Sequence, residues 1–165
     1  MTMSVTGKEE KNQREHTMKY SIKTYGLWKT SWWKDESKKV CHKSIDEYSD
    51  LDEETFKSVL NDELDVPDYE LTPENIKRNF GYSSSNEAQI SDACIERIIK
   101  YYSFRRDLYS KIIKTFIEGA ASLPDASIVT IRFNLPPEGN NFSCEDASYD
   151  GGQIEAWIEV AVLEN

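Results

Sequence analysis

The sequence predicts an α+β domain in which an antiparallel sheet packs on one long helix, with two shorter helices beside it. Three observations point there. Apolar and polar residues alternate after Lys19 and again over 128–135 and 153–162, the period of half-buried strands. Between these stretches the apolar spacing widens to three and four residues, the period of amphipathic helices. The order is strand, helices, strands, which sets the helices against a sheet instead of threading them between parallel strands. A chain of 165 residues is long enough for one sizeable core and short for two.

Residues 1–17 are polar and patternless and read as a flexible tail, leaving 18–165 as the single domain. Tyr20, Ile22 and Thr24 alternate with Lys19, Ser21 and Lys23 in a first strand that runs to about Trp28, with Gly26 a candidate bulge. Residues 29–44 read as a loop with a short strand near Val40. Asp50 is the expected cap of the first helix, with Glu53 completing a capping box. Leu51, Phe56, Val59, Leu60 and Leu64 fall on its apolar face, and Pro67 ends it. Thr72-Pro73-Glu74 supplies a cap, a proline at the first helical position and an acid in the first turn, so a second helix starts there and stops at Gly81.

A second capping box, Ser84 to Glu87, opens a long periodic segment through Ile90, Cys94, Ile95, Ile98, Tyr102, Leu108, Ile112 and Phe116 that ends at Gly119. It reads as one helix or as two joined near Tyr102-Ser103. Arg97, Lys100, Arg105, Arg106, Lys111 and Lys114 are assigned to its wet side. After the Pro124-Asp125 turn, Val129, Ile131, Phe133 and Leu135 mark one strand. Ile154, Ala156, Ile158, Val160 and Val162 mark the last. The connection over 136–152, with a short strand near Phe142, is longer than a hairpin loop.

No apolar run approaches the roughly 20 residues of a membrane helix, and the N-terminal charges are not followed by the apolar stretch of a secretory signal. Three cysteines, Cys41, Cys94 and Cys144, are odd in number and lack C-x-x-C spacing, so three free thiols and a cytoplasmic location are expected. No metal and no cofactor are expected either. Asp146-x-Ser148-x-Asp150-Gly151 has the opening spacing of a calcium loop, but Trp157 stands where a bidentate glutamate is required, so it reads as a glycine turn.

The net charge is −10, and it is unevenly spread. Between Ile45 and Glu74 there are 12 acidic residues and 1 basic one. A surface selected for stability mixes signs, because crowded carboxylates repel. Such a field repels nucleic acid and anionic membranes, and it attracts basic partners and speeds their encounter. Asp46, Glu47, Asp50, Asp52, Glu53, Asp62, Glu63, Asp65, Asp68 and Glu70 are therefore the candidate partner-binding carboxylates, with Tyr48 and Tyr69 as aromatic anchors among them. The bland alternative is a solvated helix face.

Two other functions have weaker signals. Tyr20, Tyr25, Trp28, Trp32 and Trp33 are interleaved with lysines, a composition that stacks and holds single-stranded nucleic acid. Against that, Asp35, Glu36 and the neighbouring acidic stretch oppose phosphate. A small hydrolase would have to use His42 with Cys41 or Cys144, or a pair of carboxylates. Adjacent Cys41 and His42 point to opposite sides of an extended segment, and no catalytic or nucleotide-binding motif is present. In size, acidity and absence of a catalytic motif the chain resembles the small acidic immunity proteins that protect bacteria from polymorphic or contact-dependent toxins. That resemblance implies a cytosolic, single-domain, non-catalytic protein that blocks a basic nuclease toxin through an acidic face.

Overall fold

The structure, a computed structural model, describes residues 18–31, 39–80, 90–119, 128–140, 142 and 153–164. Four antiparallel strands form one sheet in the order β2-β1-β4-β3. They are β1 (Met18–Ser31), β2 (Lys39–Leu51), β3 (Ile128–Asn134) and β4 (Gln153–Glu164). The helices are α1 (Glu53–Leu64), α2 (Pro73–Phe80), α3 (Asp92–Ile113) and a single turn, α4 (Pro137–Asn140). The α+β architecture expected from the order of periodicities is the one observed.

Strand register follows the apolar alternation. Tyr20, Ile22 and Thr24 of β1 lie opposite Val162, Val160 and Ile158 of β4, which lie opposite Val129, Ile131 and Phe133 of β3 where those strands overlap. This face meets Phe56, Leu60 and Leu64 of α1 and Ile112 and Phe116 of the long helix in the main core. Phe56 stacks on Tyr20 with centroids 4.5 Å apart. A second core joins Ile76 of α2 to Cys94, Ile95, Ile98 and Tyr101 of α3, with Ile90 and Phe142 closing it.

Helix starts are set by side-chain caps. Asp52, not Asp50, caps α1: its Oδ1 accepts the Thr55 amide at 2.8 Å. Asp50 instead bends the chain between strand and helix at φ 59°, a left-handed conformation that aspartate tolerates. The helix ends at Leu64, before Pro67, because Asp65 turns left-handed at φ 52° and its amide closes back on Asp62 and Asn61. Thr72 caps α2 as expected, its Oγ1 accepting the Asn75 amide at 3.2 Å. The long helix starts at its own cap, Ser91, whose Oγ accepts the Cys94 amide. The expected capping box at Ser84 and the stop at Gly81 lie outside the described residues. The helix is unbroken at Tyr102-Ser103 and runs on through a π-helical turn, Lys114–Glu118, to Gly119.

Four expectations need correction. The strand expected near Val40 is there but is much longer, taking in all of 39–44, because β2 is an edge strand whose helix-side residues His42, Ser44 and Asp46 carry no apolar signal to show its extent. Gly26 is not a bulge. It pairs regularly with Ser44 and Ala156, and the register breaks at Tyr20/Ile22 and Leu27/Trp28. Its missing side chain makes room for the Trp28 ring, whose Cη2 would sit 2.7 Å from an added Cβ. Arg105 and Arg106 are not on the wet side: Arg105 is buried, and Arg106 donates to the carbonyls of Pro67 and Tyr69 at 2.8 and 2.7 Å. Phe142 is buried without being in a strand, and the turn before it is helical.

Cys94 is disulfide-bonded, to a partner outside the described side chains, in place of the three free thiols expected. Cysteine usage therefore gives no argument for a reducing compartment. Among the described residues, no helix is long and apolar enough to cross a membrane.

Candidate functional site

The acidic stretch folds into three consecutive pieces: the second half of β2, all of α1, and the loop leading to α2. Asp46, Glu47, Asp50, Asp52, Glu53, Asp62, Asp65, Asp68 and Glu70 are exposed. Among the described residues only Glu47 has a cation within salt-bridge distance, Lys23 Nζ at 3.3 Å. Arg105 and Arg106 donate to backbone carbonyls and form no ion pair with the stretch among the described residues.

The carboxylates fall into two groups separated by the length of α1, about 18 Å for its 12 residues. Asp50, Asp52, Glu53 and Glu54 surround the N-terminal end, where negative charge favours the helix dipole. Asp62, Glu63 and Asp65 crowd the C-terminal end, where it opposes the dipole and where the last turn has no basic residue.

The local field is legible in the tyrosines. Glu63 Oε1 accepts the Tyr48 hydroxyl at 2.6 Å, and that bond, with further repulsion from Glu63, Asp46 and Asp62, lifts Tyr48 to a pKa of about 12. Burial pushes Tyr69 upward, Asp65 and Asp68 add to the shift, and Arg106 opposes it. Asp46 on β2 and Asp62 and Glu63 on α1 thus act on one spot, although sixteen positions separate the first from the second. Neither tyrosine is the free anchor that the sequence suggested. Tyr48 is half-buried and held by Glu63, and Tyr69 is half-buried against the second core. Glu63 is likewise engaged, accepting also from Thr24 Oγ1 at 3.3 Å.

Sequence reasoning missed a second feature. A cleft of about 270 Å³ opens beside the acidic patch, between the Gly26 end of the sheet and the helices. Asp46 and Glu63 line one part of it, Trp28 and Tyr101 contribute aromatic surface, and Arg105 and Asn140 line the rest. Gly139 sets this geometry: an added Cβ there would lie 2.8 Å from Phe104 Cβ, so only glycine lets α4 settle onto α3. In that position the Gly139 carbonyl accepts Arg105 Nε at 2.9 Å. No sequence pattern marks these residues, because they come from five separate elements.

On the other face of the sheet, Tyr25 and Trp157 stack at 5.1 Å, with Lys43 Nζ 5.8 Å from the Tyr25 centroid and the Arg132 guanidinium 4.2 Å from the Trp157 centroid. Of the tryptophans considered for nucleic acid, Trp28 lies in the cleft, and Trp32 and Trp33 lie outside the described residues. Of the residues considered for hydrolysis, His42 is exposed on β2, while Cys144 and the Cys41 side chain lie outside what is described. Among the described residues, no three of His, Cys, Asp and Glu gather as metal ligands. No protein-family model, no curated protein and no solved structure matches this chain.

Proposed function

We propose that this is a non-catalytic binding protein whose acidic surface captures and neutralises a basic protein partner, in the manner of an immunity protein blocking a nuclease toxin. One observation carries the reading. Half-buried Glu63 apart, the carboxylates of β2, α1 and the following loop stay exposed, and among the described residues only Glu47 has a cation within salt-bridge distance, even at the end of α1 where they oppose the helix dipole. A cationic partner supplies what the fold leaves out. Exposed charges act over the Debye length of about 8–10 Å and steer the encounter, so their main effect is on association rate and its salt dependence.

The structure refines which residues to test. Glu63 is tied to Tyr48 and Thr24, so reversing it would disturb the fold as well as the surface. Asp62, Asp65 and Asp68 are exposed and make no side-chain hydrogen bond among the described residues; Asp65, left-handed at φ 52°, is exchanged for glycine, which keeps that conformation. Wild-type protein immobilised in extract of the native cell should retain a basic protein that raised salt releases, and the Asp62→Lys/Asp65→Gly/Asp68→Lys variant should lose it. With the purified partner, the variant's association rate constant should fall at low salt and approach wild type at high salt. Equal retention by the two proteins, or an association rate indifferent to salt, would overturn the reading.

A further inference from the structure

Arg105 and Asn140 are the two buried polar residues among those described, at 7% and 6% exposure, and both line the cleft. Among the described residues neither side chain finds its full set of partners. Arg105 donates through Nε to the Gly139 carbonyl at 2.9 Å and through Nη1 to the Leu64 carbonyl at 3.3 Å, with Tyr101 beneath the guanidinium at 4.4 Å. These bonds use two of its five N–H donors. Nη2 makes no hydrogen bond, and no carboxylate lies within 4.0 Å of the group among the described residues. The Asn140 backbone amide bonds to the Pro136 carbonyl at 2.9 Å, but its side-chain amide has no partner among them.

A guanidinium is a permanent cation, and burying one without a counter-charge is costly. Buried polar groups are almost always bonded, so an unfilled fork beside an unfilled amide calls for a ligand.

We propose that this cleft binds a small organic carboxylate. The outer edge of the Arg105 fork presents parallel Nη1 and Nη2 donors, the geometry that takes both oxygens of a carboxylate. The Asn140 amide supplies a further donor, and Trp28 and Tyr101 provide apolar surface for the ligand's body. The volume, about 270 Å³, lies below that of most drug-sized pockets and suits a metabolite of amino-acid size. Asp46 and Glu63 on the same lining favour a ligand that also carries an ammonium group and disfavour a dianion. This proposal does not rest on the acidic-surface reading: Asp46 and Glu63 belong to both, but the groups that hold the ligand here are Arg105 and Asn140.

Four probes separate the possibilities: phenylacetate, phenylalanine, phenethylamine and phenylacetamide, each titrated to millimolar concentration. The readouts are tryptophan fluorescence and the NMR signals of the Arg105 Nε–H and Asn140 side-chain amide. Phenylacetate and phenylalanine should give saturable shifts, with phenylalanine the tighter. Phenethylamine and phenylacetamide, lacking a carboxylate, should give none. Asn140→Ala and Arg105→Lys should each weaken binding by about tenfold or more, the lysine keeping the charge and losing the fork. The Asp62→Lys/Asp65→Gly/Asp68→Lys variant should still bind, which keeps a failure here distinct from a failure of the acidic surface. If no probe shifts these signals, if the amide binds as well as the acid, or if folded Asn140→Ala binds like wild type, the polar groups are satisfied by water and the proposal is wrong.

Discussion

The Tyr48 hydroxyl donates to Glu63 Oε1 across 2.6 Å and so ties the edge strand β2 to the last turn of α1. Glu63 has no cation within 4 Å among the described residues, and the phenol takes the place of one. The bond exists only while the tyrosine keeps its proton. Tyr20, raised to about 12 by burial and then by Glu53, is under the same constraint in the core. Unfolded tyrosines deprotonate near 10, whereas these two hold their protons to about 12. Between those values the unfolded state binds fewer protons, so stability falls as pH rises. The contribution is fully present below pH 10 and disappears through pH 12. Denaturant midpoints should drop across that window, and Tyr48→Phe should lower the midpoint at pH 8 while making the alkaline drop shallower. Absorbance titration should show two phenols ionising well after the exposed ones.

The acid side is governed in part by the cap of α1. The Thr55 amide, then the Thr55 hydroxyl and to a lesser degree Lys19, hold Asp52 below its usual value of 3.8. A carboxylate with a lowered folded pKa adds stability above its unfolded value, and that stability is lost as pH falls below it. Asp52→Asn keeps an oxygen that can cap but loses the charge at the helix N-terminus. The variant should unfold at lower denaturant than wild type at pH 7, and the difference should shrink below pH 3.8. A difference that persists undiminished at pH 2.5 would assign the effect to something other than the charged cap.

Gly139 tests the docking of α4. Helix propensity alone favours alanine over glycine by up to about 1 kcal/mol. The new Cβ, however, would meet Phe104 Cβ at 2.8 Å, an atom anchored directly to the α3 backbone. Overpacking of this kind costs roughly 1–3 kcal/mol, so the collision outweighs the propensity. Gly139→Ala should be destabilised in urea, and the Arg105 Nε–H signal should shift because its acceptor is displaced. A stabilised variant would mean that α4 yields freely.

What could be read from the sequence was whatever repeats along it. Val160 and Val162 announce β4 by alternation, and Thr72-Pro73 announces α2 by cap chemistry, because both signals are local. The extent of strand β2 over Lys39 to Ser44 was hidden because a polar edge strand facing a cleft has no apolar period to show. Arg105 was misplaced for a related reason. Helical spacing puts it beside other cations, and the Gly139 and Leu64 carbonyls that receive it come from elements distant in the sequence. The acidic surface was visible as composition, but composition did not separate solvent-facing Asp62 from Glu63, which two hydroxyls hold in place.

If partner capture maintains the acidic end of α1, the protein should gain stability when that end is altered. Asp62 lies in the last turn, where a positive side chain would favour the dipole by roughly 0.3–1 kcal/mol, and it is exposed, so Lys at that position displaces nothing. Asp65 sits at φ 52°, where glycine is unstrained and removes a repelling charge. The residues are three apart and share one field, so their effects need not add. Asp62→Lys, Asp65→Gly and the double variant should each unfold at higher urea than wild type, with the margin narrowing as salt is raised. The same variants should bind the basic partner more slowly. A loss of stability in both single variants would show that these carboxylates support the fold, and would remove the stability argument for an interaction surface.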